Sequence, residues 1–152
     1  MKSATNGSKP ASLSHIKETC LYIQDTARTR AFYEGLLGLV CVSEAPGRFV
    51  FFCAGQDMLL CFVPEFSAQN PILPSHGANG PQHIAFESPD YEDWKAYLEN
   101  RGILIEHEAE WKGGRRSFYF RDPDGHSIEI AEPGIWGESP KNPSAYRNRL
   151  SL

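Results

Sequence analysis

The sequence predicts an α+β fold built from two βαβββ modules, and three observations carry that prediction. Residues 18–25, ETCLYIQD, align with residues 83–90, HIAFESPD, at an offset of 65 (83 − 18), and self-similarity at a fixed spacing marks a duplicated unit. In both copies an aspartate, Asp25 or Asp90, ends the first apolar run, and a glycine, Gly38 or Gly102, closes the segment that follows. Each copy then continues into three further strand-like runs.

Residues 1–13 are polar and lack the apolar stretch of a secretory signal, so they read as a disordered arm and a cytoplasmic location is expected. A single domain spans residues 14–136, with modules at 14–63 and 83–136. Asp25 and Asp90 suit helix N-caps, because a carboxylate accepts the unpaired N–H groups of a first turn; Gly38 and Gly102 can take the left-handed conformation that ends a helix. Ala31, Phe32 and Leu36 supply the apolar stripe of the first helix, and Trp94, Tyr97 and Leu98 that of the second. Strands are expected at 39–43, 48–53 and 58–63, then at 103–108, 117–121 and 127–131. Gly55-Gln56-Asp57 and Asp122-Pro123-Asp124-Gly125 form the last hairpins, the second with proline presetting φ and glycine accepting the left-handed position. Residues 64–82, rich in Pro, Gly, Ser and Asn, read as a linker that lets the halves pair within one chain or exchange between two. Residues 137–152 read as a tail.

The bulk numbers narrow the partners. The 152 residues are 41% hydrophobic and 12% aromatic, ordinary for a globular domain. A net charge of −4 with dispersed Lys and Arg offers no basic stripe, so nucleic acid is not expected. The apolar runs are far shorter than the roughly 18–20 residues a membrane crossing needs. Cys20, Cys41, Cys53 and Cys61 form no CxxC pair and read as reduced packing residues.

Side chains alternate across a strand, so Leu21 and Ile23 belong under a helix while Glu18 faces away, and His83 does the same in the second half. Aligning the final strands on Pro64 and Pro133 sets Leu60 opposite Glu129. Glu18, Leu60, His83 and Glu129 are then the inward positions. Two carboxylates and an imidazole facing a partly desolvated space need a counter-charge, which a divalent cation supplies. Taken singly, a core histidine and a solvated carboxylate are the plainer readings of His83 and Glu129, and an arginine partner that of Glu18. Arg115 and Arg116 are candidate clamps for an anionic substrate, or a solvated hairpin shoulder. Tyr119 carries a hydroxyl on one face of an aromatic strand and is either catalytic or a packing residue.

Phe32-Tyr-Glu-Gly-Leu-Leu-Gly-Leu, His83-Ile-Ala-Phe-Glu and Phe118-Tyr-Phe-Arg-Asp-Pro-Asp-Gly-His-Ser-Ile-Glu-Ile resemble the vicinal oxygen chelate superfamily of glyoxalases, extradiol dioxygenases, fosfomycin-resistance thiol transferases and bleomycin-resistance proteins. The resemblance covers residues 14–136 and implies mixed sheets curled around a cavity, a homodimer, a small-molecule substrate and a metal held by Glu18, His83 and Glu129. Glu18 stands where the family commonly has histidine. The set suits Mn²⁺, Fe²⁺, Zn²⁺, Ni²⁺ or Mg²⁺. Glu129 is the implied general base. Leu60 occupies the position of a fourth ligand in glyoxalase I and cannot coordinate. The resemblance therefore implies an open three-ligand site for lyase, isomerase, dioxygenase or thiol-transfer chemistry. The rival is a non-catalytic binder of the bleomycin-resistance type, with Phe52, Tyr119 and Trp111 as its aromatic cleft.

Overall fold

Both modules form in a computed structural model of the chain, which describes residue 13, residues 15–69 and residues 73–137. Apart from Leu13 and Gly137, the arm expected over 1–13 and the tail expected over 137–152 lie outside the described residues. The first module is β1 (Glu18–Tyr22), α1 (Thr26–Arg30), a π-helical continuation (Ala31–Leu36), β2 (Val40–Ala45), β3 (Phe49–Ala54) and β4 (Asp57–Phe62). A short helix, α2 (Pro64–Ser67), follows with proline in its first turn, so the segment read as linker begins with a helical turn. The second module is β5 (His83–Glu87), α3 (Tyr91–Glu99), β6 (His107–Trp111), β7 (Arg115–Arg121) and β8 (Ser127–Ala131).

The modules give two mixed sheets of identical order, β1-β4-β3-β2 and β5-β8-β7-β6, each with one parallel pair at the edge, β1·β4 and β5·β8. Asp25 caps α1 through Arg28 N at 2.8 Å. Asp90 sits at the equivalent position of α3, but its side chain makes no cap bond; its own N–H donates to Ser88 Oγ instead. Gly38 and Gly102 take φ of 77° and 76° as expected. The π turn, closed by Leu37 N donating to Phe32 O at 3.0 Å, brings the adjacent residues Phe32 and Tyr33 inward together. The buried stripe is therefore Thr26, Thr29, Phe32, Tyr33 and Leu37, and Ala31 is exposed.

The strand expected at 103–108 forms at His107–Trp111 instead. Gly113 and Gly114, at φ 85° and 72°, make a tight hairpin closed by Gly114 N to Trp111 O. The turn sets the register, so pairing with β7 runs back from Trp111 only to His107.

One core serves both modules. Leu21, Ile23, Val50, Phe52, Leu59 and Cys61 of the first sheet are buried in the same cluster as Phe118, Phe120, Ile128 and Ile130 of the second. Phe32 from the first module lies 6.3 Å, ring to ring, from Phe120 of the second. Beneath them the buried Tyr33 hydroxyl donates to Asp122 Oδ2 at 2.8 Å, and Asp122 Oδ1 accepts from the backbone of Asp124 and His126. A second joint runs between β1 and the β5–β8 edge. Tyr22 N donates to Gln82 Oε1 at 2.9 Å and Gln82 N to His126 Nδ1 at 2.9 Å, while His126 Nε2 lies 2.7 Å from Tyr22 O. Since Nδ1 accepts and a carbonyl oxygen cannot donate, Nε2 carries the proton and donates. Among the described residues no helix is long and apolar enough to cross a membrane.

Burial, reinforced by Asp122, pushes the Tyr33 phenol far above its ordinary range, and burial does the same to the Cys61 thiol. Both groups hold their protons in the folded state at pH values where the unfolded chain releases them. Their contribution is complete below about pH 8.5 and declines as pH rises past the ordinary thiol and phenol values, about 8.5 and 10, toward the raised values of the folded state. Tyr33→Phe removes a buried bond to a carboxylate and should cost about 1.5–3 kcal/mol in urea unfolding at neutral pH. The same substitution should make the alkaline loss of stability shallower, read as unfolding midpoints between neutral and alkaline pH.

Candidate functional site

Because the helix-covered faces of both sheets turn into the shared core, the alternate residues of each strand face outward. On the first sheet these are Glu18, Cys20 and Tyr22 of β1, paired with Met58, Leu60 and Phe62 of β4. Phe49 and Phe51 of β3 continue the face, their rings stacked at 4.4 Å. Burial, then the Glu18 carboxylate, pushes the Cys20 thiol upward, as expected for neighbours on one face. On the second sheet the outward residues are His83, Ser127, Glu129, Tyr119, Ser117, Arg115, His107 and Trp111.

His83 and Glu129 meet on that second face. His83 Nε2 lies 3.3 Å from Glu129 Oε2, with the Glu129 side chain 6% exposed and that of His83 51%. His83 Nδ1 lies 3.0 Å from Ser127 O, and the carbonyl only accepts, so Nδ1 carries a proton. That bond orients the ring and turns Nε2 toward the carboxylate, the arrangement that ligating histidines use. Tyr119 donates its hydroxyl to Glu129 Oε1 at 2.9 Å. Burial pushes the Tyr119 phenol up, the Ser117 hydroxyl opposes the shift, and Glu129 adds to it, so Tyr119 keeps its proton at neutral pH. The strand pairs bear out the alignment of the final strands: Cys20 pairs with Leu60 as Ala85 pairs with Glu129.

Glu18 lies on the other sheet. It is exposed, and among the described residues no three His, Cys, Asp or Glu side chains converge as a metal cluster. One chain thus brings together His83, Glu129 and Tyr119, but not Glu18. The expected clamp divides: Arg115 is exposed on the same face as Tyr119, whereas Arg116 points to the helix side. Its guanidinium binds Glu92 and Glu132 there and lies 4.0 Å from the Tyr91 ring centroid. The pair is adjacent in sequence and so must face opposite ways on a strand. The same alternation corrects Phe52, which is fully buried against Tyr33, with ring centroids 5.5 Å apart; Phe51 is the ring on the open face. No aromatic cleft of Phe52, Tyr119 and Trp111 forms. Trp111 is half-buried on the open face beside Trp136, and Leu60 is half-buried on the face that carries Glu18.

Two residues of this face escaped sequence reasoning. Ser117 is fully buried and accepts from Trp111 Nε1 at 2.9 Å; alternation from Tyr119 would have placed it. His107 packs 5.8 Å, ring to ring, from Tyr119 and pairs with it across the strands, a contact hidden by the shifted boundary of β6. A cavity of about 600 Å³ opens elsewhere, on the helix side of the seam, lined by Leu37, Leu39, Leu59, Ile84, Phe86 and Trp94 among others. It contains neither His83 nor Glu129, and the chemistry-bearing groups outweigh this hollow in locating the site.

Residues 12–130 match the model of the Glyoxalase/Bleomycin resistance protein/Dioxygenase superfamily. The chain is similar to the crystal structure of lactoylglutathione lyase from Agrobacterium tumefaciens, with 40% identity and a TM-score of 0.79, over 83% of this chain and 98% of that one. It is also similar to the glutathione transferase FosA of Serratia marcescens, 27% identical over 78% of this chain and 79% of the relative. The metallothiol transferase FosB of Staphylococcus saprophyticus is 25% identical over 78% of this chain and 75% of the relative. The chain belongs to the Glyoxalase/Bleomycin resistance protein/Dioxygenase superfamily.

Proposed function

We propose that the protein is a divalent-metal-dependent enzyme acting on a small substrate that chelates through neighbouring oxygens, with thiol-linked chemistry as its reaction class. The approach of His83 Nε2 to Glu129 Oε2 at 3.3 Å carries this reading. With Nδ1 committed to Ser127 O, a neutral His83 turns a lone pair toward a buried carboxylate oxygen. A cation relieves two acceptors that meet in this way, and one imidazole with carboxylates fits a divalent ion. Bound there, the ion supplies Lewis acidity toward substrate oxygens.

His83 and Glu129 are the ligands from one chain, and Glu18 comes from a second copy, so the active form is a homodimer. Three features support this assignment: the shared core turns the two ligand-bearing faces outward, Glu18 lies apart from the other two, and the second sheet leaves His83 half exposed. Leu60 offers no donor atom, which keeps a position for substrate. Tyr119 stays protonated and holds Glu129 Oε1, while Glu129 is placed to accept a proton from the substrate. Arg115 lies four residues from Tyr119 along β7, about 13 Å. It can therefore bind the far, anionic end of an extended substrate such as a glutathione adduct. The three relatives named above support the thiol-linked class, since their names carry glutathione or a thiol.

The purified chain, stripped and reloaded, should bind Mn²⁺ stoichiometrically, and its melting temperature should rise on loading. His83→Ala or Glu129→Gln should weaken binding beyond the about 10–100-fold that loss of an outer partner causes. A chain that takes up no divalent ion after reconstitution would sink the proposal.

Origin of Glu18 is tested by co-refolding Glu18→Gln chains with His83→Ala chains. If the ligands come from two copies, each mixed dimer regains one intact site, giving about a quarter of the wild-type sites in a random mixture. No recovery excludes a Glu18 contribution from the second copy.

A further inference from the structure

We propose that Ser117 and Trp111 are positioning residues that hold the Tyr119 hydroxyl on one oxygen of Glu129 and leave the other oxygen presented beside His83. The inference rests on the metal-site reading above. Its basis is a chain of hydrogen bonds whose direction the chemistry dictates. Trp111 Nε1 can only donate, and it lies 2.9 Å from Ser117 Oγ. Ser117 Oγ is therefore an acceptor there, and its single proton is left for another partner. Tyr119 Oη, at 3.5 Å, takes that role. The phenol in turn donates to Glu129 Oε1 at 2.9 Å, because an ionised carboxylate only accepts.

The donors thus run one way, from Trp111 through Ser117 and Tyr119 to Glu129. Glu129 Oε1 is occupied at the end of the chain, and Oε2 is the oxygen 3.3 Å from His83 Nε2. Ser117 is 0% exposed, so its hydroxyl is closed to bulk solvent. A serine proton that pointed elsewhere would leave a buried polar group unpaired. Trp111 is also fixed from outside, its ring packed 6.4 Å from Trp136. A residue at the rim of the open face is in this way coupled to a carboxylate in its floor.

The test measures Mn²⁺ affinity of the full-length chain by calorimetry, with thermal unfolding of each metal-free variant as the check on folding. Ser117→Ala and Trp111→Phe should each weaken Mn²⁺ binding by about tenfold, the size expected when a group supporting a ligand is removed. Trp111→Phe keeps an aromatic ring at the rim, of smaller volume, and deletes the donor, so it reports even if the buried Ser117→Ala variant folds poorly. Tyr119→Phe should weaken binding similarly, and Ser117→Ala added to Tyr119→Phe should cost nothing more, since both act through one bond. Wild-type affinity in Trp111→Phe, or additive losses in the double variant, overturns the inference and leaves the metal reading standing. Failure of the wild-type chain to bind Mn²⁺ overturns both.

Discussion

The buried hydrogen bond from Tyr33 to Asp122 joins the two modules at their common floor, and the rest of the architecture depends on it. Phenol, carboxylate and the turn N–H groups that Asp122 also accepts form a polar knot enclosed by Phe32, Phe52 and Phe120. Such a knot is favourable only when every member is satisfied, which ties the first helix to the β7–β8 turn in a single arrangement. The Tyr22–Gln82–His126 bridge repeats the tie at the edge strands. With their helix-covered faces fused, the sheets expose their other faces away from the core. Two open sheet faces per chain follow from that packing before any ligand is considered.

The faces differ in chemistry in a way that suits distinct roles. The first carries stacked phenylalanines, Leu60, the Tyr22 phenol and one carboxylate; the second carries two imidazoles, the buried carboxylate, hydroxyls and a guanidinium. A site assembled from one of each has an apolar wall and a polar wall. Small-molecule sites commonly combine these, with a few placed polar groups giving orientation and the apolar surface giving affinity. On the helix side Arg116 pairs with both Glu92 and Glu132.

Much of this was legible in the sequence because the duplication carries its own register. The 65-residue offset located both first strands, and the alignment on Pro64 and Pro133 found the equivalence of Leu60 and Glu129 that the strand pairs bear out. Alternation placed Glu18, His83 and Tyr119 on the sheet faces away from the helices, positions expected to look into a cavity but turned outward instead by the shared core. Applied consistently, it would also have sent Phe52 and Arg116 inward and found Ser117. What a single sequence could not supply was set by longer-range geometry. The π turn rotated Ala31 out, the double-glycine hairpin moved β6, and the shared core separated Glu18 from His83 and Glu129.

Leu60 gives the repeat an evolutionary meaning. It occupies in the first module the strand position that Glu129 occupies in the second, and it lies on the same face as Glu18. Duplication therefore delivered equivalent scaffold positions in both halves and left the donor atoms to be chosen at each separately. On the metal-site proposal, exchange of this one leucine for a donor-bearing side chain would alter the number of donors available without touching the core, the seam or the turns. Divergence in the number of donors in such a fold can proceed by point substitution on a face that lies outside the shared core.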